Sequence, residues 1–483
     1  MIKLLQLLLS FTPAQQQTFL LWLGSPWFNT DKSLAKISEM LYAKENTISM
    51  EELWKAIFPT KAYNQQVLKN KLSQLGKKAE SFSAFCVFET DEQAKQWMLN
   101  RHVSENTQTE YAQKHFKRQK PTGSISLGSL DFEQKQSELN FRLSQKAQRH
   151  ESGDALRKLI SDMDNNWLAN RLKFTCEMLN RGLTLGGQLH DIAFNEVLQH
   201  FPPQFFAEHL LPRLYRLVYL TITHPDAEDN YHSLKNELKT NFPLISTTEA
   251  SELFTFLQNY CIRRITAGKQ GFLRELFENY KLLLQSELLL PKGQLGEFDF
   301  KNIITVALRL GEGDWALNFI ETYHTKLDEN HRANALAYNQ ARIFYAQKDL
   351  KNALKTLTKV EYSDVFYHID SRTLLVKIYL DLEDVEGMLT AIASIRAYLL
   401  RSKLVAASQQ KLYLNFLNLA KRLAMLMDGS EVSIPKMQEF LAKTPQTAEA
   451  AWLREKVDKL GTNGEEICPT TIVMLNSYLL LQL

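Results

Sequence analysis

The sequence predicts an all-α protein built from repeated pairs of helices, and three observations lead to that prediction. Asp314, Asp349 and Asp384 recur at a fixed interval of 35 residues. Apolar residues at spacings of three and four precede and follow each of them, as on one face of a helix. Gly and Pro together make up about 6% of the chain, against an average of about 12%. A fixed period of this length is typical of stacked helical pairs. We therefore expect a right-handed superhelix of stacked antiparallel helical hairpins, an α-solenoid, behind an N-terminal helical module.

The middle copy of the repeat illustrates the physics. The apolar face of its first helix consists of Ala337, Ala341, Phe344 and Tyr345. Asp349 then interrupts the pattern and caps the next helix, because its carboxylate accepts a backbone N–H bond. The apolar face of the second helix consists of Leu350, Ala353, Leu354 and Leu357. One such pair cannot bury its apolar face alone, so the sequence predicts that neighbouring pairs stack on it.

These residues resemble the tetratricopeptide repeat. Ala341, Phe344, Asp349, Ala353 and Leu357 match its pattern of small, aromatic and turn residues, with Lys348 in place of the usual turn glycine. Other segments resemble a family of uncharacterised bacterial helical-repeat proteins: Ser25-Pro26-Trp27-Phe28-Asn29, Cys176-Glu177-Met178-Leu179-Asn180-Arg181, Asn259-Tyr260-Cys261-Ile262-Arg263-Arg264-Ile265 and Asp364-Val365-Phe366-Tyr367. The resemblance implies a divergent tetratricopeptide-like solenoid and no established activity.

The composition of the chain gives no sign of a nucleic-acid partner, a metal site or a membrane span. The net charge of +3 over 483 residues is close to neutral, so overall charge does not indicate a nucleic-acid partner. The four cysteines are isolated in the sequence, which favours free thiols in a reducing cytoplasm. The histidines have no metal-ligand spacing, and no apolar run approaches the ~20 residues of a membrane span. We therefore expect a cytoplasmic protein with no cofactor, metal or catalytic site.

The chain divides into five predicted segments. Residues 1–90 form the N-terminal helical module, and 91–153 are connecting helices and a loop. Residues 154–427 form the solenoid, and 428–460 form a C-terminal helical cap. The tail, 461–483, either docks on the last pair of helices or is disordered.

Capping signals place two helices of the N-terminal module. Thr12, Pro13 and Gln15 are typical of an N-cap, a first helical position and a capping box. The alternative, a signal peptide cleaved near Thr12, has an apolar run at the lower limit of that class. Ser49 and Glu52 form a second capping box that begins a short helix before the long one.

The long helix resembles the recognition helix of a helix-turn-helix regulator that carries helical repeats behind it. Lys69, Ser73, Lys77 and Lys78 lie on its polar side and would contact DNA phosphates and base edges. The alternative is the solvated face of a structural helix. A DNA-binding transcriptional regulator is therefore the second functional hypothesis.

The first hypothesis is a protein-binding scaffold or adaptor without catalysis. By alignment with tetratricopeptide repeats, the residues that line its groove are Tyr338, Asn339, Arg342, Tyr345 and Lys377. This mixture of aromatic, amide and basic side chains suits an extended or helical protein segment. No membrane partner is expected.

A polar pair on an earlier helix suggests an anion contact. Asn259 and Arg263 share one helix face, and together they would hold a carboxylate or phosphate through charge-assisted bonds. The alternative is an intramolecular salt bridge between adjacent helical pairs.

Overall fold

Local capping determines where the first helices begin. In the computed structural model, the Thr12 hydroxyl accepts from the Gln15 N–H at 3.2 Å, and the Gln15 side chain accepts from the Thr12 N–H at 3.0 Å. Ser49 and Glu52 make the same reciprocal pair of bonds, at 3.2 and 2.9 Å. Each pair satisfies two N–H groups that a helix leaves unbonded. Both predicted capping boxes are therefore confirmed.

The described part of the chain is all-α. It contains 23 α-helices and three short 3₁₀ helices and has no β-strand, which confirms the all-α part of the predicted fold class. None of these helices combines the length and apolar character needed to cross a membrane. The structure describes residues 2–43, 48–106, 111–112, 114, 123–146, 152–185, 192–360, 365–402, 405, 407–430, 432–444 and 447–462.

Contacts divide the chain into two units. The first consists of Met1–Thr122 and Gly128–Asp164, and the second of Gly123–Leu127 and Asn165–Leu483. The division falls within the long helix α8 and lies close to the predicted start of the repeats at residue 154. Of the predicted tail, 461–483, only its first two residues are described, and they end the last helix.

Eight α-helices are fully described in the first unit, and the last of them continues into the second unit. They are α1 (Ile2–Leu9), α2 (Pro13–Gly24), α3 (Lys32–Ala43), α4 (Met50–Ile57), α5 (Gln65–Thr90), α6 (Glu92–Asn106), α7 (Leu127–Lys146) and α8 (Ser152–Leu185). Helix α5 contacts α1, α2, α3 and α4, because its buried side carries Leu68, Leu75 and Phe82. The Phe82 ring lies 5.0 Å from that of Phe19. This core fixes which side of α5 remains exposed.

The described part of the second unit continues with fifteen α-helices. They are α9 (Ile192–Gln199), α10 (Pro203–Glu208), α11 (Leu210–Thr223), α12 (Glu228–Asn241), α13 (Thr247–Thr266), α14 (Gly271–Gln285), α15 (Glu297–Arg309), α16 (Gly313–Tyr323), α17 (Glu329–Ala346), α18 (Leu350–Leu357), α19 (Val365–Asp381), α20 (Val385–Arg401), α21 (Ala407–Met427), α22 (Ile434–Lys443) and α23 (Ala450–Thr462). From α10 to α21 each helix contacts the next one, α23 contacts both α22 and α21, and α17 also contacts α15 and α19.

One turn recurs five times in the second unit. In each copy a residue with positive φ follows a helix, and the next N–H donates to the carbonyl five residues before it. At Lys348 (φ 64°), for example, the Asp349 N–H reaches the Phe344 carbonyl at 2.9 Å. This is a Schellman cap, which satisfies carbonyls at the helix end. The five positive-φ residues are Gly268, Gly311, Lys348, Glu383 and Gly429. The sequence placed Lys348 at the turn-glycine position, and the structure confirms it.

Asp349 is the N-cap of α18, as predicted. Its carboxylate accepts from the Asn352 N–H at 3.1 Å, and it also accepts from the Asn352 side chain at 2.6 Å. Asp384 caps α20 in the same way, through the Gly387 N–H at 2.8 Å. Asp314 differs, because α16 begins one residue before it, at Gly313. Two of the three aspartates that recur at 35-residue intervals are therefore N-caps.

Candidate functional site

The predicted groove residues lie on α17 and α19, and they differ in exposure. Tyr338 and Asn339 are buried, whereas Arg342, Tyr345 and Lys377 are half-buried. The Asn339 side chain donates to the Ala335 carbonyl at 2.8 Å within its own helix. Asn339 therefore belongs to the core in this structure and does not reach the surface.

Arg342 links neighbouring helices. Its Nη2 donates to the Thr305 hydroxyl of α15 at 2.9 Å, and its Nη1 donates to Asn339 Oδ1 at 3.3 Å. The guanidinium carbon also lies 5.5 Å from the centre of the Tyr338 ring, within the range of a cation–π contact. Arg342 therefore joins α15 to α17 through its polar end.

The other two residues, Tyr345 and Lys377, contact the C-terminal helix α23. The Trp452 indole N–H donates to the Tyr345 hydroxyl at 3.0 Å. Lys377 Nζ lies 2.8 Å from Glu449, which comes immediately before α23. The same ammonium is 5.4 Å from the Tyr345 ring and 5.6 Å from the Trp452 ring. A lysine is thus held between two aromatic rings and one carboxylate.

Asp381 completes this contact. It is mostly buried, and Lys456 of α23 donates to it, while Lys348 Nζ lies 3.8 Å away. Burial raises the pKa of Tyr345 above its ordinary value, and the nearby Asp381 carboxylate adds to the rise. We call Tyr345, Lys377 and Asp381 the covered face, because side chains of 449–456 lie on all three.

A second carboxylate, that of Asp370, joins α19 to α15 and to α21. Asp370 of α19 is 2.5 Å from Lys301 of α15 and accepts from the Tyr413 hydroxyl at 3.0 Å. Burial raises the pKa of Tyr413 well above its ordinary value, so its hydroxyl keeps its proton and remains a donor. Helix α19 is therefore held by α21 at Asp370 and by α23 at Asp381.

The predicted anion contact divides between two neighbouring arginines. The adjacent Arg264 pairs with Asp226 at 2.7 Å and with Glu228 at 3.0 Å, whereas Arg263 forms no ion pair with any described residue. Arg263 Nη1 donates instead to Asn180 Oδ1 at 2.9 Å. Among the described residues, no hydrogen bond joins Asn259 to Arg263, although both are half-buried on α13.

The four predicted DNA contacts on α5 separate into two groups. Lys69, Ser73 and Lys77 are exposed and lie four residues apart, which places them in one row along the helix. We call them the exposed row. Lys78 is half-buried, its ammonium donates to the Phe28 carbonyl, and it lies 6.0 Å from the Trp22 ring. Lys78 thus contributes to the structure of the first unit.

Sequence reasoning missed Glu449, Trp452 and Lys456. The segment 428–460 was predicted only as a cap, because contacts between residues 107 positions apart leave no periodic signal. The described ranges contain no group of three or more histidine, cysteine, aspartate or glutamate side chains that could hold a metal ion. Comparison with protein-family models, with curated proteins and with solved structures returns no match to this chain.

Proposed function

We propose that this chain is a protein-binding scaffold, in which the helices of a tetratricopeptide-like solenoid hold helical segments of a partner. One observation carries the proposal: α17 and α19 already hold a helix, α23, through the covered face. Divergent tetratricopeptide ancestry, kinship with bacterial helical-repeat proteins and the absence of catalysis belong to the same proposal. The free thiols of Cys86, Cys176 and Cys261 fit a reducing cytoplasm.

The chemistry of the covered face specifies the kind of segment it suits. Trp452 supplies an aromatic side chain that is 9% exposed, and Trp and Tyr are enriched among residues that dominate binding energy. Glu449 and Lys456 lie on either side of it and meet Lys377 and Asp381. Residues three and four apart share one side of a helix. A matching partner is therefore an amphipathic helix with an acidic, an aromatic and a basic residue in that order.

The remaining face of α23 explains why the helix stays in place. Leu453 and Val457 are buried in a core with Leu417 and Met437. Burying one such side chain contributes about 1.5–3 kcal/mol. A partner helix must therefore compete with a resident helix that is anchored on its opposite side.

The experiment measures helix binding in trans. A fluorescent peptide with the sequence of residues 447–462 is titrated into the full-length chain, either wild type or Trp452→Ala. Without the Trp452 side chain, α23 leaves the covered face more often, so the state that can bind the peptide is more populated. Because a more populated binding-competent state raises the apparent affinity, the variant should bind the peptide about tenfold more tightly than wild type. Adding Lys377→Glu should abolish the gain.

The matched control is Lys351→Glu, an exposed lysine on α18 that should leave peptide binding unchanged. Circular dichroism checks that each variant keeps its helix content. If Trp452→Ala unfolds, the double variant Glu449→Ala/Lys456→Ala replaces it. A folded variant that binds the peptide no better than wild type contradicts the proposal.

The exposed row favours a second candidate function, a DNA-binding regulator. Among the described residues, Lys69 and Lys77 form no ion pair, and helix α5 contacts α4 as in a helix-turn-helix. Phosphate binding releases counterions, so its affinity falls steeply as salt rises. The full-length chain should then bind duplex DNA at low salt, and Lys69→Glu/Lys77→Glu should remove that binding. Lys351→Glu is the control, and no salt-dependent binding by wild type rejects this function.

A further inference from the structure

Arg263 occupies a position that is aliphatic in the later repeats. It lies five residues before Gly268, the positive-φ residue that follows its helix. The residues five positions before Gly311, Lys348 and Glu383 are each at most 1% exposed: Val306, Ile343 and Ile378. A guanidinium therefore stands where the repeat otherwise places a core side chain.

No negative charge compensates this guanidinium. Its Nη1 donates to Asn180 Oδ1 at 2.9 Å, a neutral acceptor. Its Nη2 is buried and has no hydrogen-bond partner among the residues that the structure describes. Within the described ranges, Arg263 forms no ion pair, whereas the adjacent Arg264 has two carboxylates, Asp226 and Glu228. Of these two adjacent arginines, Arg264 has carboxylate partners and Arg263 has none among the described residues.

The uncompensated charge is costly and persists at neutral pH. Removing an ion from water costs several kcal/mol unless a partner offsets it. Burial lowers the pKa of Arg263 to about 10, which still leaves the group protonated at pH 7. A buried, charged donor without an acceptor is the state that an anion would relieve, because it would supply both the counter-charge and the missing bond.

We propose that Arg263 is the centre of an oxyanion-binding site between α8 and α13, which takes a carboxylate or phosphate group. The planar guanidinium suits both, since it can donate two parallel bonds to one oxyanion. The Asn180 side chain turns aside on binding and gives up Nη1, while the anion also reaches Nη2. Asn259 lies one turn before Arg263 on the same helix and contributes a carboxamide donor. This site shares no residue with the covered face, so the proposal does not depend on whether the covered face binds a partner helix.

The test follows thermal unfolding of the full-length chain with three probes at matched ionic strength. The probes are sodium phosphate, N-acetylglutamate amide as a side-chain carboxylate, and sodium chloride as the control. A ligand that binds only the folded state raises its melting temperature in a saturable way. Wild type should respond to phosphate, to the carboxylate, or to both, and not to chloride. The responding probe tells a free phosphate from a carboxylate group.

Two variants assign the response to Arg263. Arg263→Gln should lose the saturable shift, and Arg263→Lys should need at least tenfold more ligand for half the shift, because it keeps the charge but lacks the two-pronged donor. The control is Arg274→Gln, a half-exposed arginine paired with Glu312, which should respond as wild type does. The readout is the response to ligand, so a changed baseline stability does not obscure it. No saturable shift in wild type, or an equal shift in Arg263→Gln, overturns the proposal.

Discussion

The exposed row of the first unit and the covered face of the second both contain lysines, but these lysines differ in their surroundings. Lys69 and Lys77 are exposed to solvent and form no ion pair with any described residue. Lys377 is 15% exposed and sits between two aromatic rings and a carboxylate. An exposed lysine keeps its hydration and contributes little to stability, whereas a half-buried one is part of the packing. Replacements in the exposed row should therefore alter binding, and those on the covered face should alter stability first.

The two tryptophans Trp452 and Trp27 give the largest expected difference. Trp452 is 9% exposed and donates to Tyr345, while Trp27 is 88% exposed. Trp452→Ala leaves a cavity and removes one hydrogen bond to the Tyr345 hydroxyl, so it should cost about 3–5 kcal/mol. Trp27→Ala should change the free energy of unfolding by less than about 0.5 kcal/mol, as surface replacements do.

Urea unfolding followed by circular dichroism and by tryptophan fluorescence measures both variants. The Trp452 change should shift the midpoint of the transition that reports the second unit. Equal midpoints for the two variants would mean that α23 does not pack on α17 and α19 in solution, and the contrast between the regions would fail.

The next prediction concerns the cap of α18. Asp349→Ala removes the bond to the Asn352 N–H and should cost about 1 kcal/mol, the usual value of a lost N-cap. Asn352 is exposed in the first turn of the same helix. The structure adds a bond from its side chain to Asp349, so Asn352→Ala should cost a smaller amount, about 0.5 kcal/mol.

A control for this prediction comes from the same helix. Lys351 is exposed and has no role in the cap, so Lys351→Ala should be neutral. The order of destabilisation should be Asp349→Ala, then Asn352→Ala, then Lys351→Ala. An Asp349→Ala protein as stable as Lys351→Ala would show that the cap bond contributes nothing.

Local features of the fold could be predicted from the sequence, and distant contacts could not. The capping boxes at Thr12 and Ser49, and the turn at Lys348, depend on residues within one turn of each other. The all-α class follows from periodicity in the same way. The covered face depends on the contact between Trp452 and Tyr345, which are 107 residues apart in the sequence, and no local sequence pattern predicts that contact. Lys78 illustrates the same limit, because only the folded first unit brings its ammonium to the Phe28 carbonyl.

The smallest expected effects are at two turns that place a non-glycine residue at positive φ. Glu383 (φ 59°) and Lys348 (φ 64°) occupy the conformation that glycine holds at Gly311. A left-handed backbone costs an L-residue about 1–2 kcal/mol, and glycine's greater freedom in the unfolded chain offsets part of that cost. Glu383→Gly should therefore stabilise the protein by about 0.5–1 kcal/mol.

Lys348→Gly tests whether the edge of the covered face contributes to stability. The Lys348 ammonium lies 3.8 Å from Asp381 and 5.7 Å from the Tyr345 ring, and its side chain is 73% exposed. An exposed ion pair contributes at most about 1 kcal/mol, so Lys348→Gly should gain less than Glu383→Gly does. The control is Lys355→Gly, at an exposed helical position of α18, which should lose about 1 kcal/mol because glycine disfavours a helix interior. If both variants gain the same stability, the Lys348 side chain contributes as little to stability as the lysines of the exposed row do. If Lys348→Gly instead loses stability, Lys348 belongs to the covered face.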